Sequence, residues 1–170
     1  VITAWREMLD EMDIVYRIHA YDDGSKDNTR AVLQELASTD DHGLTVHTAS
    51  NQGHGPTILK GYRDAKAEWI FQVDSDDELL PEDFAALWAQ RSLADLVIGW
   101  RKNRKSPLVR RLISSVSRLS VHLCYGYAMR DVNIPYRLMR SSFFKPWFRK
   151  IPEKTFAPNV IISGIAAWQQ

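Results

Sequence analysis

The feature that most constrains this chain is the run Trp69-Ile70-Phe71-Gln72-Val73, which breaks off into Asp74-Ser75-Asp76-Asp77-Glu78. A nearly continuous apolar stretch of this length reads as a short strand covered on both faces, the usual condition of a strand inside an α/β sheet. The carboxylates then fall at its C-terminal end. In open α/β sheets that end is where ligands bind.

The neighbouring segments fit such a sheet. Residues 4–12 predict a helix with Trp5, Met8, Leu9 and Met12 on one face. Ile14–Tyr21 is strand-like and runs into the turn cluster Asp22-Asp23-Gly24-Ser25. A helix is expected from about Asp27 to Ala37, with Ala31, Val32, Leu33 and Leu36 buried. Leu44–Thr48 is a short strand, Asn51-Gln52-Gly53-His54-Gly55-Pro56 a loop, and a helix follows to about Ala67. Pro81 suits the first turn of a further helix, and Asp95–Trp100 is another strand. This alternation predicts an α/β fold, a mostly parallel sheet with helices on both faces.

Composition narrows the function. The 170 residues are 45% hydrophobic, enough for one domain with its own core. Cys124 is the single cysteine, so no internal disulfide forms. No apolar run approaches the roughly 20 residues of a membrane span. Net charge is +1, but residues 1–100 carry 8 Lys and Arg against 19 Asp and Glu, and residues 101–170 carry 14 against 2. The halves thus differ as −11 and +12, which suits a cation in one and phosphates or an anionic lipid surface near the other. Within the basic half, Leu108, Leu112, Val116, Leu119 and Leu123 recur at helical spacing beside Arg104, Lys105, Arg110, Arg111 and Arg118. This amphipathic segment reads as a helix packed on the domain or as one lying on a membrane surface. No glycine-rich dinucleotide fingerprint or P-loop occurs, and nothing points to nucleic acid.

Two clusters carry chemistry. Crowded carboxylates at 74–78 repel one another unless a cation is present, and hard oxygen donors suit Mg²⁺ or Mn²⁺. A calcium loop fits poorly, because its sixth position calls for glycine and here is Leu79. The alternative is an acidic loop placed before a helix start. At Asp22-Asp23-Gly24-Ser25 a strand-end carboxylate would accept hydrogen bonds from a base or ribose, and the alternative is a turn with a helix cap. The five histidines show no metal-ligand spacing, so they read as structural or exposed.

Taken in order, Asp22–Ser25, Asn51-Gln52-Gly53-His54-Gly55 and Asp74-Ser75-Asp76 resemble the nucleotide-binding half of family 2 glycosyltransferases with the GT-A fold. Gly99-Trp100-Arg101 and residues 131–137 look like acceptor-side segments of the polyprenyl-phosphate branch. The resemblance implies that Asp22 and Asp23 contact base and ribose, and that Asp74, Ser75 and Asp76 bind the nucleotide sugar. It implies Asp74, Asp76 and Glu78 at a Mg²⁺ or Mn²⁺ ion, and Asp76, Arg101 and Arg137 as catalytic, the arginines neutralising phosphate. Residues 1–100 would be the nucleotide-sugar and metal half, and residues 101–170 the acceptor half. The expected reaction is inverting transfer from a nucleotide-diphosphate sugar to a polyprenyl phosphate at the cytoplasmic membrane face. Transfer to a saccharide hydroxyl, or a non-catalytic nucleotide-binding relic, are the alternatives.

Two departures from the family pattern refine these expectations. No Pro-x-Tyr-Asn-Glu-like strand occurs before Ile14, so the first strand of the fold is expected to be absent from this sequence. Phe156-Ala157-Pro158-Asn159 stands where many members carry an acidic pair with the catalytic base. A hydroxyl acceptor needs such a base and a phosphate acceptor does not.

Overall fold

A computed structural model describes residues 1–40, 43–76, 78–99 and 132–169. The elements in order are α1 (Ile2–Glu11), β1 (His19–Asp22), α2 (Thr29–Ser38), β2 (Thr45–Thr48), α3 (His54–Asp64), β3 (Trp69–Val73), a 3₁₀ turn (Pro81–Asp83), α4 (Phe84–Ala89), β4 (Leu96–Ile98), β5 (Tyr136–Arg140), α5 (Ser141–Phe148) and α6 (Pro158–Trp168). The basic amphipathic segment, Trp100, Arg101, Cys124 and Asp131 lie outside the described residues.

β1 and β2 pair in parallel, with Ala20 opposite Val46 and Asp22 opposite Thr48. β3, β5 and β4 form a second sheet in that order. β5 runs antiparallel to both neighbours, so β3 and β4 share one direction. The alternation of strand and helix through residue 98 is as expected. The antiparallel insertion of β5 was not anticipated, because Tyr136-Arg137-Leu138-Met139-Arg140 mixes charge into a strand whose members are nearly all buried. It also means that chain from beyond residue 100 completes the sheet begun by the acidic half.

Period-two alternation along β3 sorts its side chains between two cores. Ile70 joins Leu59, Tyr62, Met139, Phe144, Phe148, Ile151, Ile162 and Ile165 on the face covered by α3, α5 and α6. Trp69, Phe71 and Val73 turn to the other face, against Trp5, Phe84, Leu87, Tyr136 and Leu138. Each fully buried Leu, Ile or Phe contributes about 2 kcal/mol of transfer free energy, so helices on both faces are what hold this small sheet. The predicted apolar face of α1 is realised: Trp5 is buried and stacks near Phe71, Phe84 and Tyr136, with Met8, Leu9 and Met12 packed beside it.

Two expectations need correction. Only His19–Asp22 of the segment 14–21 is strand, and Val15 is fully exposed. No residue of α2 is buried, and Val32 is 50% exposed. The cause is common to both. The two-stranded β1–β2 sheet offers α2 too little area to bury its Ala31-Val32-Leu33-Leu36 stripe, and among the described residues no strand pairs with 14–17.

Candidate functional site

The Asp22–Ser25 turn follows β1 directly. Gly24 has φ +80°, and a Cβ there would stand 2.8 Å from the Asn51 amide nitrogen, so glycine allows the turn to press against the next loop. Asp22 is buried, and its carboxylate accepts from the Ser25 amide at 2.8 Å and from Arg30 Nε at 3.3 Å. Hydrogen bonds from Ser25, together with Arg30, hold this carboxyl below the usual carboxylate range. Asp22 therefore shapes the turn from within, and its side chain does not present itself to a base as expected. Asp23 reaches across instead. Its two oxygens accept from the Gln52 and Gly53 amides, each at 2.8 Å.

That contact carries the turn to the start of α3. Gly53, with φ +94°, precedes His54 at the head of the helix. Gly55 is buried because the backbone of Thr155 and Phe156 passes over it. His54 Nε2 lies 3.7 Å from Asp74 Oδ2. A continuous line of contacts thus runs from Asp23 through residues 52–54 to Asp74, joining the carboxyl ends of β1 and β3 as the sequence order implied.

The loop after β3 is shaped by its own carboxylates and pinned at its far end. Asp76 Oδ1 accepts from the Glu78 amide at 3.2 Å, and the Tyr136 hydroxyl donates to the Leu80 carbonyl at 3.0 Å. Asp74 is partly exposed, while Ser75, Asp76 and Glu78 are exposed. Among the described residues no three His, Cys, Asp or Glu side chains converge closely enough to hold an ion by themselves. This donor set fits Mg²⁺ or Mn²⁺ in one specific way. Such ions commonly take one or two protein carboxylates and fill the remaining positions with phosphate oxygens and water. Asp74 and Asp76 meet that demand only when a diphosphate shares the ion.

Arg137 belongs elsewhere. It is fully buried on β5, and its guanidinium donates to the carbonyls of Ile134 (2.9 and 3.0 Å), Asn159 (3.1 Å) and Val132 (3.2 Å), with Ser163 Oγ at 3.5 Å. This planar fork of donors ties β5 to the first turns of α6. The Arg137 N–H groups meet the backbone carbonyls of Val132, Ile134 and Asn159 and the Ser163 hydroxyl.

Other residues at the site escaped sequence reading. His54 was set aside for want of metal-ligand spacing, yet it faces Asp74. Gln72 and Asn159 are bonded to each other at 3.1 Å, and Gln72 also donates to Asp74 Oδ1 at 3.0 Å. The available signal was Gln72 itself, a polar residue in an otherwise apolar strand.

Carboxylates thus stand at the C-terminal ends of β1 and β3, the edge at which open α/β sheets take their ligands. The family model for glycosyl transferase family 2 matches residues 3–154, and the chain belongs to that family. Curated relatives include undecaprenyl-phosphate 4-deoxy-4-formamido-L-arabinose transferases. The one from Pseudomonas fluorescens strain SBW25 is 29% identical over 89% of this chain and 45% of its own length, and the one from Proteus mirabilis is 25% identical over 87% and 46%. The chain therefore spans about half the length of these relatives. Among solved structures, S. aureus TarS 1-349 superposes with TM-score 0.60 at 19% identity, covering 98% of this chain and 51% of that one. A TarS structure in complex with UDP superposes with TM-score 0.61. These likenesses bear out the GT-A-type α/β fold.

Proposed function

We propose that this chain is the donor-binding part of an inverting, metal-dependent glycosyltransferase that moves a sugar from a nucleotide-diphosphate sugar to a polyprenyl phosphate. The observation that supports the reading is the line of contacts from Asp23 through residues 52–54 to Asp74, which brings the two carboxylate turns onto one edge, where a nucleotide's base and diphosphate could lie side by side. On this reading the exposed edge of the Asp23 turn and loop 51–53 takes the nucleoside. Ser75 lies beside the diphosphate, and Asp74, Asp76 and Glu78 are the oxygens offered to Mg²⁺ or Mn²⁺. A bound cation would supply charge neutralisation for the departing nucleotide. Arg101 would neutralise donor or acceptor phosphate.

Three things support the acceptor class. The relatives named above act, by their names, on undecaprenyl phosphate. The segment Phe156-Ala157-Pro158-Asn159, the nearest counterpart of the family's acidic pair, carries no carboxylate to serve a hydroxyl acceptor as base, and a phosphate acceptor is already anionic. Residues 101–170, which form the acceptor half in this reading, carry the +12 excess that an anionic lipid surface attracts, at about 1 kcal/mol per basic residue. Among the described residues no helix is long and apolar enough to cross a membrane.

The test is a transfer assay on the full-length gene product with Mn²⁺, offering undecaprenyl phosphate and a saccharide acceptor in parallel. Transfer to the lipid phosphate alone is expected. It should be accompanied by binding to anionic vesicles that weakens with salt, and weakens again when Arg110 and Arg111 are changed to Gln. Transfer to the saccharide alone would overturn the acceptor assignment.

A further inference from the structure

Beneath the loop that carries Asp74 lies a chain of side-chain hydrogen bonds whose direction is fixed by chemistry. The carboxylate of Asp74 only accepts, so the Gln72 group bonded to it at 3.0 Å is the amide nitrogen. The Gln72 oxygen must then face donors. It accepts from Asn159 Nδ2 at 3.1 Å, and the Tyr62 hydroxyl, 3.0 Å away, shares its single proton between this oxygen and that of Asn159. With its nitrogen committed to Gln72, Asn159 presents its oxygen to Tyr62, whose hydroxyl donates at 2.7 Å. Each amide therefore has one permitted orientation, and reversing any of them sets oxygen against oxygen.

The far end of this chain is rigid. Tyr62 and Asn159 are 2% exposed, and burial pushes the Tyr62 hydroxyl pKa well up, keeping it a donor. Arg137, on the same sheet face and opposite Gln72 in the ladder, holds the Asn159 carbonyl. Three elements, α3, β3 and α6, thus converge on one carboxylate.

We propose that Gln72, held by Asn159 and Tyr62, is the positioning residue that orients the Asp74 carboxylate for the divalent cation and diphosphate. The inference rests on the reading of loop 74–78 given above and deepens it. Asp74 neighbours Asp76 and Glu78, so an untethered side chain would swing away from them and would have to be ordered on binding. Holding Oδ1 in advance lowers that cost, while Oδ2 lies on the side of His54. Residues that orient a metal-binding carboxylate commonly control metal affinity by 10–100-fold.

The experiment is calorimetric titration of UDP into the protein, with Mn²⁺ and with EDTA, alongside a thermal melt of each variant. Gln72→Met keeps the size and loses the amide. It should weaken the Mn²⁺-dependent UDP affinity about 10-fold and leave the metal-free affinity unchanged. Gln72→Glu, which sets a second carboxylate against Asp74, should weaken it further. Tyr62→Phe, which removes a single hydroxyl, should act in the same direction and less. A merely structural role would lower the melting temperature and move both affinities together, and that result would overturn the proposal. So would an unchanged Mn²⁺-dependent affinity in Gln72→Met and Tyr62→Phe while Asp74→Asn loses it, with the site reading left standing. A parent without Mn²⁺-dependent affinity, or Asp74→Asn that keeps it, would overturn the site reading and the inference together.

Discussion

Replacing Arg137 by leucine is expected to cost about 4 kcal/mol of folding stability, because buried carbonyls lose their donors at once and burial forbids water from replacing them. The oxygens concerned are those of Val132, Ile134 and Asn159, with the Ser163 hydroxyl beside them. Arg137→Lys should recover little of this loss, since one ammonium on a flexible stem cannot reproduce a planar fork reaching several oxygens. Urea unfolding measures both. An Arg137→Leu variant that kept parental stability and failed only in phosphate-dependent steps would restore the reading of this residue as a phosphate contact.

The second large effect is expected at Gly55. A Cβ there would stand 2.2 Å from the Thr155 carbonyl oxygen and 2.3 Å from that of Phe156. Both obstacles are backbone, so no side-chain rotation relieves them. Either the first turn of α3 or the 155–156 segment must shift. Gly55→Ala should therefore cost about 3 kcal/mol, at the upper end of overpacking substitutions. His54 sits on that same turn, so its approach to Asp74 should be lost as well. Denaturant unfolding of Gly55→Ala and Gly61→Ala gives the comparison. At Gly61 a Cβ would meet only the Tyr21 ring edge, at 3.3 Å. Equal, small losses in both variants would mean that the α3 start is not fixed by the 155–156 backbone.

These two residues illustrate what was legible in the sequence. Strands and helices through residue 98 were readable because each leaves a local signature, such as the apolar run at 69–73 or the Trp5-Met8-Leu9-Met12 stripe. So was the order of the carboxylate clusters, because a strand end places whatever follows it at the ligand-binding edge. The burial of Arg137 was not readable. Its partners Val132, Ile134 and Asn159 bond through backbone atoms that any residue would supply, so no side-chain pattern announces them. Pairing across long separations was equally hidden. β5 enters between β3 and β4 from more than 35 residues beyond β4, and Asn159 meets Gln72 across a separation of 87 residues. The exposure of α2 was misjudged for a related reason. Its apolar stripe is real, but burial depends on how much sheet lies opposite, which is a property of the assembled fold. Asp22 differs again: the turn was read correctly, and the carboxylate was consumed by the turn.

The central claim is that the loop after β3 holds the diphosphate of a nucleotide through a divalent cation. Calorimetric titration of a nucleoside diphosphate into the parent and into Asp76→Asn, with and without Mn²⁺, tests it most directly. Asp76 is exposed and, among the described residues, bonds within its own loop to the Glu78 amide, so the substitution should leave the melting temperature unchanged. The account predicts Mn²⁺-dependent binding in the parent and its loss in Asp76→Asn. Binding of equal strength in the two proteins would contradict it.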